Sequence, residues 1–308
     1  MRFSIFQDTA IGARASNQDR MGYCFSRESL LMIVADGMGG HMRGEVAAQV
    51  SMQTAAAMFQ QAAQPRLADP AAFLEEAFRA GHRELHRYRE AHGLPECPRT
   101  TIVACIIQDN MAWWAHAGDS RLYLMRGGQV ATRTRDHSKV ENLLNLGLIT
   151  QEQTETHPER NKVLNCLGSP FEPSIEVNAQ VPLRSGDVIL LCSDGFWSGV
   201  DEADVARELD KEPVMAVVPR LVRRAVQHNG VTADNTTALA LQWDSTIEVE
   251  DIPTLSSLGL PDGAVTTTIA IGVAPGPETE GSDLTEDEIE RTIAEIQSAI
   301  QRSNRNSR

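Results

Sequence analysis

The stretch Leu30-Leu31-Met32-Ile33-Val34-Ala35-Asp36-Gly37-Met38-Gly39-Gly40-His41 predicts a buried strand that ends in an aspartate and a glycine-rich turn. Three other aspartates also lie beside apolar runs, each followed by glycine or a small polar residue: Asp119, Asp194 and Asp234. Each alone is typical of an Asx-turn or a helix cap. Four carboxylates brought by different strands to one rim would instead form an all-oxygen site for Mg²⁺ or Mn²⁺. The joint pattern favours such a metal site and indicates a metal-dependent hydrolase.

The composition of the 308 residues excludes several other classes of protein. A net charge of −14, with lysine only at Lys139, Lys162 and Lys211, argues against a nucleic-acid surface. The five cysteines show no CxxC spacing, which indicates a reducing compartment. No apolar run suits a signal peptide or a bilayer span, so we expect a cytoplasmic protein without a membrane partner. No Gly-Lys pair is present and no arginine follows a cysteine by six residues, which excludes P-loop and cysteine-phosphatase chemistry.

Residues 1–244 mix apolar strand-like runs with amphipathic helical stretches, which predicts a layered α+β domain. The predicted strands are Phe3–Gln7, Met21–Ser26, Leu30–Ala35, Thr101–Gln108, Met111–Ala117, Arg121–Met125, Ile175–Val181, Asp187–Cys192 and Thr236–Trp243. The predicted helices are Gly44–Gln61, Pro70–Ala91, Lys139–Leu146, Asp201–Leu209 and Pro213–Gln227. Asp109-Asn110 predicts a hairpin turn, because both residues tolerate turn geometry.

The character of the chain changes after Asp244, where twelve acidic residues stand against four basic ones in 245–308. The Pro-, Gly- and Thr-rich stretch 245–283 is predicted to be a linker. Thr285-Glu286-Asp287-Glu288 resembles a capping box, so we expect an amphipathic helix over 284–302 and a tail over 303–308. The isoleucine stripe of that helix fits docking on a partner or on its own domain.

The aspartates and a nearby arginine suit the hydrolysis of a phosphoester. Two divalent cations activate a water and neutralise charge on the phosphoryl group, and Asp36 is the best candidate to bridge them. The carbonyl of Gly37 can face a cation because glycine has no side chain. Arg14 is a candidate to grip phosphate oxygens, and Asp19 to orient a metal-bound water. Taken alone, Arg14 would be read as a surface ion pair.

These residues, in this order, resemble the bacterial form of the metal-dependent protein phosphatases, the type-2C Ser/Thr phosphatases. The resemblance covers nearly all of 1–244. It is carried by Arg14-Ala15-Ser16-Asn17-Gln18-Asp19, Asp36-Gly37-Met38-Gly39-Gly40-His41, Gly118-Asp119-Ser120-Arg121, Asp136-His137-Ser138, Ser193-Asp194-Gly195 and Asp234-Asn235. It implies a four-layer α-β-β-α sandwich, two antiparallel sheets flanked by helices, with the cations at one end.

The resemblance also implies a role for each site residue. Asp36, Asp194 and Asp234 would ligate one Mn²⁺ or Mg²⁺, and Asp36 with the Gly37 carbonyl a second. Asp119 with Asp194 would form a weaker third site. Arg14 and Asp19 would be the catalytic residues, and the stretch from about 139 to 168 would be a flap beside the site. The substrates would be phosphorylated proteins of a Ser/Thr kinase pathway, hydrolysed by a metal-activated water.

Two positions depart from the family pattern. Gln18 stands where many members have Glu, which would weaken the second cation. Met38 stands where some relatives have a histidine proposed as general acid; His41 is a candidate for that role, and equally a plain helix-start residue. Two other functions stay open: a catalytically weak phosphoprotein-binding module of the same fold, and a hydrolase of small phosphoesters.

Overall fold

Two antiparallel β-sheets form the centre of the protein, in a computed structural model that describes residues 1–38, 43–243, 255–261 and 263–269. The first sheet has the strand order β12-β1-β11-β10-β6-β7. Its strands are β1 (Arg2–Ala10), β6 (Arg121–Arg126), β7 (Gln129–Arg133), β10 (Val188–Cys192), β11 (Thr236–Trp243) and β12 (Leu255–Ser256). The second sheet has the order β13-β2-β3-β4-β5-β8, and β9 also pairs with β5. Its strands are β2 (Asp19–Phe25), β3 (Ser29–Gly37), β4 (Thr100–Gln108), β5 (Met111–Ala117), β8 (Glu176–Val177), β9 (Val181–Pro182) and β13 (Thr266–Thr267).

Helices cover the outer face of each sheet. The described α-helices are α1 (Gly44–Ala62), α2 (Pro70–Ala91), α3 (Lys139–Asn145), α4 (Gln151–Thr156), α5 (Asp194–Trp197), α6 (Glu202–Lys211) and α7 (Val214–Asn229), and α3 and α4 lie within the 139–168 segment. The helices α1 and α2 pack on the second sheet, whereas α5, α6 and α7 pack on the first. The predicted four-layer α-β-β-α sandwich is therefore confirmed.

Strand β3 shows why the opening stretch is apolar at every position. Leu30, Met32 and Val34 point between the sheets, while Leu31 and Ile33 point toward α1 and α2. All five side chains are fully buried, because a strand between two apolar layers has no solvent face.

Three parts of this architecture differ from the sequence expectations. Strand β7 and the short helices α4 and α5 were not predicted, since they are brief and carry no long apolar period. The predicted strand Ile175–Val181 is instead two separate two-residue strands, β8 and β9.

The chain beyond Asp244 departs from the linker predicted over 245–283. The strand β12 pairs with β1, and β13 pairs with β2, so this segment adds an edge strand to each sheet. Ile269 is only 2% exposed and lies against Gly22, where an added Cβ would come within 2.5 Å of its Cγ1 atom. The domain predicted to end at residue 244 therefore includes residues 255–261 and 263–269. The helix predicted over 284–302 and the tail 303–308 lie outside the described residues.

The strand ends place the chemistry-bearing residues together. Asp19 opens β2 directly opposite Asp36 in β3, and Asp194 follows β10 where Asp234 precedes the neighbouring β11. Asp119 lies in the turn from β5 to β6, which crosses from one sheet to the other. All five aspartates consequently lie at the same end of the sandwich. Among the described helices, none combines the length and apolar character needed to cross a bilayer.

Candidate active site

A cavity of about 320 Å³ opens at this end of the sandwich. Six residues predicted from the sequence line it: Arg14, Asp36, Gly37, Asp119, Asp194 and Asp234. Asp19 lies behind the cavity wall and is 4% exposed. The structure therefore brings together the residues that the aspartate pattern singled out.

The backbone at Asp36 and Gly37 leaves no room for a larger residue. A Cβ at Gly37 would stand 2.2 Å from the carbonyl oxygen of Gly44, where α1 begins. The Gly37 amide donates to the Gln18 carbonyl at 3.2 Å, and the hydroxyl of Thr100 donates to the Asp36 carbonyl at 2.8 Å. Residues 39–42, which include His41 and the Gly39-Gly40 pair, lie outside the described part of the chain.

Asp19 is anchored from the first sheet through Ser193. The Ser193 hydroxyl donates to Asp19 Oδ2 at 2.7 Å and accepts from the Thr237 amide at 3.0 Å. The other oxygen, Oδ1, is buried and has no hydrogen-bond partner among the described residues. Asp194 Oδ1 is likewise buried without a partner. An unpartnered buried carboxylate oxygen is costly, so both oxygens fit groups that await a ligand.

Arg14 is held at the mouth of the cavity by Asp234, with 2.5 Å between Nη2 and Oδ2. This hydrogen bond and the charge of Asp234 raise the pKa of Arg14. The Arg14 side chain is still 54% exposed, which leaves the remaining guanidinium donors open to a phosphate.

Asn235 fixes the loop that carries Arg14. Its Nδ2 donates to the carbonyls of Ile11 and Ser16 at 2.9 and 3.0 Å, and its Oδ1 accepts from the Gln18 amide at 2.8 Å. The amide side chain thus bonds to both ends of the loop. Because Asn235 directly follows Asp234, the same segment positions both Asp234 and the loop that carries Arg14.

Asp119 takes its position from the backbone around it. Its carbonyl accepts a hydrogen bond from Trp197 Nε1 at 2.9 Å. The next hydroxyl, on Ser120, bonds to that of Thr101 at 2.7 Å. Arg121 then forms a two-pronged pair with Asp136, 2.8 Å at each contact, and stacks 3.6 Å over the ring of Trp197.

The electrostatics of the cavity call for positive charge. Burial, followed by the repulsion of the neighbouring aspartates, raises the pKa of Asp36 well above its ordinary value, and likewise that of Asp194. Burial raises the pKa of Asp119 to about 7 and that of Asp19 to about 6. Several carboxylates cannot all be ionised in one buried space without compensation. This donor set, all oxygen and partly unpartnered, therefore fits hard divalent cations.

A different cluster, His116, His137 and Glu176, has ligand atoms within 4.8 Å of one another. It does not suit a metal, because the His137 ring is already committed. Its Nδ1 accepts from the Gly118 amide at 3.2 Å, so the proton of the neutral ring sits on Nε2 and points toward Glu176. A metal at Nε2 would need that nitrogen free of its proton.

Gln18, which departs from the family pattern, donates from Nε2 to Glu45 in α1 at 3.1 Å. It lines the cavity but brings no charge to it. A glutamate, Glu45, therefore lies beside Gln18 and is held by its side-chain amide, at the position where many family members have a glutamate.

The structure adds site residues that the aspartate pattern did not assign. Thr101, Asn161, Val163 and Asn235 also line the cavity, and Ser193 supports it from behind. Asn235 and Ser193 belong to motifs that carry the family resemblance. Both are polar and buried, and this burial, which would mark them as site residues, is not visible in the sequence. Asn161 and Val163 come from the predicted flap, which reaches the cavity with these two residues.

Comparison with known proteins gives a consistent result. The protein phosphatase 2C family matches residues 7–235. The chain is 33% identical over 240 residues to the serine/threonine protein phosphatase PstP of Mycobacterium tuberculosis, covering 78% of this chain and 44% of that protein. The chain thus spans less than half the length of this relative. It is 31% identical over 242 residues to the serine/threonine phosphatase stp of Listeria monocytogenes, covering 77% of this chain and 94% of that protein.

Solved structures give the same picture for the fold. The crystal structure of the Mycobacterium tuberculosis phosphatase PstP/Ppp is 32% identical, with a TM-score of 0.68 over 79% of this chain and 99% of that one. A structure of the PstP catalytic domain in complex with two manganese ions is 29% identical, with a TM-score of 0.65 over 79% and 99% of the chains.

Proposed function

The chain belongs to the protein phosphatase 2C family, and we propose that it is a Mn²⁺- or Mg²⁺-dependent protein phosphatase that hydrolyses phosphoserine and phosphothreonine. The observation that carries the proposal is the cavity in which four aspartates and Arg14 meet. The manganese ions in the related PstP catalytic domain support the choice of cation.

The residues divide into cation ligands and phosphate contacts. Asp36, Asp194 and Asp234 would hold one cation, Asp36 and the Gly37 carbonyl a second, and Asp119 with Asp194 a third. When bound, the cations supply a water of lowered pKa and positive charge beside the phosphoryl group. The raised pKa values of Asp36 and Asp194 support these roles, because a cation removes the cost of ionising them together.

The chain's own residues orient the substrate. Arg14 is exposed at the cavity mouth, where its free donors can hold two phosphate oxygens. Asp19, fixed by Ser193, has a buried and unpartnered Oδ1 beside the cavity, and this oxygen would accept a hydrogen bond from a metal-bound water. Asn161 and Val163 bring the 139–168 segment to the cavity wall, where it can meet the protein part of a substrate.

The partners and location follow from the same proposal. The substrates would be phosphoproteins of a Ser/Thr kinase pathway. Five free, buried cysteines support a cytoplasmic setting, where thiols stay reduced. The helix predicted over 284–302 would bind a partner of its own.

Turnover of p-nitrophenyl phosphate and of a phosphothreonine peptide tests this function. We expect both substrates to be hydrolysed with Mn²⁺, and neither with EDTA or in Asp36→Asn. Asp204→Asn is the matched control, since it removes the same charge from an exposed site in α6 and should leave turnover unchanged.

Each alternative predicts a different outcome. Activity that survives EDTA or Asp36→Asn would refute the metal site. Turnover of the small phosphoester alone would identify a small-molecule hydrolase. Binding of the peptide without turnover would identify a phosphoprotein-binding module.

A further inference from the structure

The side chain of His137 bonds both to the turn that carries Asp119 and to the 139–168 segment. We propose that His137 is a positioning residue, which fixes the Asp119 turn and couples it to the cavity wall at Val163. The catalytic consequence rests on the proposed function, in which Asp119 is a cation ligand. The structural coupling itself can be tested without that function.

The Gly118-Asp119 turn has a backbone conformation that needs support. Gly118 has φ +122°, and an added Cβ would lie 2.4 Å from the Cβ atom of Thr101. Both of its polar backbone groups bond to His137: the Gly118 amide donates to Nδ1 at 3.2 Å, and its carbonyl accepts from the His137 amide at 2.9 Å. The turn is thereby closed on one residue.

The same Nδ1 atom also accepts a hydrogen bond from the 139–168 segment, the predicted flap. Asn165 Nδ2 donates to it at 2.7 Å, so two donors converge on one lone pair. The orientation of the Asn165 amide is fixed by Ser174, whose carbonyl accepts from Nδ2 at 2.7 Å and whose amide donates to Oδ1 at 3.0 Å. The acceptor at Nδ1 is therefore the common point of the turn and the segment.

Further contacts make His137 a rigid link. Its carbonyl accepts from the Leu164 amide at 2.8 Å. Its ring stacks on His116, 4.4 Å between centroids and 20° apart. Nε2 lies 3.4 Å from Glu176 Oε2. Val163, the residue before Leu164, lines the same cavity as Asp119.

This link bears on the proposed cation site because the backbone of the turn sets the position of the Asp119 side chain. Its carbonyl is held by Trp197, and the following Arg121 is held by Asp136, the residue next to His137. Asp136 and His137 thus clamp the two sides of the turn. Motion of the 161–165 stretch would reach Asp119 through the shared acceptor at His137.

Two substitutions separate the acceptor from the ring. His137→Phe keeps a flat ring that can stack on His116 but has no acceptor. His137→Asn loses the ring, but the Oδ1 atom of asparagine is bonded to Cγ just as Nδ1 is in histidine. It can therefore accept hydrogen bonds from the same donors. Asn165→Leu is a third variant, which removes the flap's donor and leaves His137 intact.

Three measurements are made on each full-length variant. Amide hydrogen exchange of the metal-free protein is followed in peptides covering 116–120 and 161–168. Calorimetry measures Mn²⁺ binding, and kinetics with p-nitrophenyl phosphate separate kcat from KM.

For His137→Phe we expect faster amide exchange in both peptides. We also expect the affinity of the weakest Mn²⁺ site to fall roughly 5- to 30-fold, because two hydrogen bonds to Nδ1 are lost. We expect kcat to fall with little change in KM. His137→Asn should stay within about threefold of the wild type in all three, since it keeps the acceptor. Asn165→Leu should speed exchange in 116–120 although it lies in the other segment.

The proposal is overturned if His137→Phe leaves exchange in 116–120 unchanged, or if the Phe and Asn variants behave alike. Should His137→Phe fail to fold, Asn165→Leu decides: unchanged exchange in 116–120 refutes the coupling. A wild-type protein without Mn²⁺-dependent turnover would refute the proposed function, while the exchange result would still confirm or refute the coupling.

Discussion

Replacing Asp119 with asparagine tests whether the cavity holds strained negative charge. The change keeps the shape of the side chain and removes its charge. Burial raises the pKa of Asp119 from 3.8 to about 7. A carboxyl whose pKa rises on folding stabilises the native state below its unfolded pKa, and this stability is lost as the pH rises through the folded value.

The size of the effect follows from that pKa. Between about pH 5 and pH 8, roughly two pH units lie below the folded pKa, which corresponds to about 2–3 kcal/mol of stability lost. The metal-free wild type should lose this amount beyond what Asp119→Asn loses. For a domain of this size the difference is roughly 5–10 °C in Tm. Asp36 and Asp194 shift in the same direction, and the loss of Asp119 also relieves them.

Urea unfolding in EDTA across this pH range measures the effect. Asp204→Asn, in the exposed first turn of α6, should keep the wild-type slope. Saturating Mn²⁺ should remove the decline in the wild type, because cation binding favours the ionised carboxylates. Parallel profiles for wild type and Asp119→Asn in EDTA would refute the reasoning.

Two further predictions concern the phosphate contact and the C-terminal strands. Arg14→Ala should lower kcat/KM by about 2–4 kcal/mol of transition-state stabilisation, whereas Arg66→Ala, which removes an equally exposed arginine paired with Asp109, should not; equal kcat/KM for Arg14→Ala and wild type would remove Arg14 from the site. Truncation after residue 243 removes β12, β13 and Ile269. It should lower the free energy of unfolding by at least the contribution of one buried isoleucine, about 2–5 kcal/mol. Truncation after residue 271 is the control in urea unfolding, and equal stability of the two truncations would show that the strands add nothing to the fold.

Local patterns predicted the fold where burial and turn chemistry agree. Asp109 and Asn110 have φ of +54° and +58°, the geometry that a two-residue hairpin turn requires. The continuous apolar run in β3 reflects a strand with two buried faces. The predicted helix Pro70–Ala91 matches α2, whose N-cap Asp69 accepts from the amides of Ala71 and Ala72.

Local patterns failed where distant groups decide the structure. The predicted strand Ile175–Val181 is interrupted at Asn178, whose Oδ1 accepts from the Trp114 amide at 2.7 Å and so replaces a ladder bond. The strands β12 and β13 are two residues each and carry no apolar run, and their partners are the edges of β1 and β2.

The site divides in the same way. Aspartates beside glycine at strand ends predicted which carboxylates gather. The partners that hold them are distant in sequence: Ser193 for Asp19, and Asn235 for the Arg14 loop. No spacing rule connects residues 174 or more positions apart.

The 2.5 Å contact of Arg14 with Asp234 implies thermodynamic linkage between two binding events. Asp234 cannot give its full charge to the guanidinium and to a cation together. A cation that engages Asp234 would loosen Arg14 and free it for phosphate, and bound phosphate would in turn favour the cation by the same factor. The apparent phosphate affinity would then rise with Mn²⁺ concentration, so that the level of free metal sets how much substrate the enzyme retains.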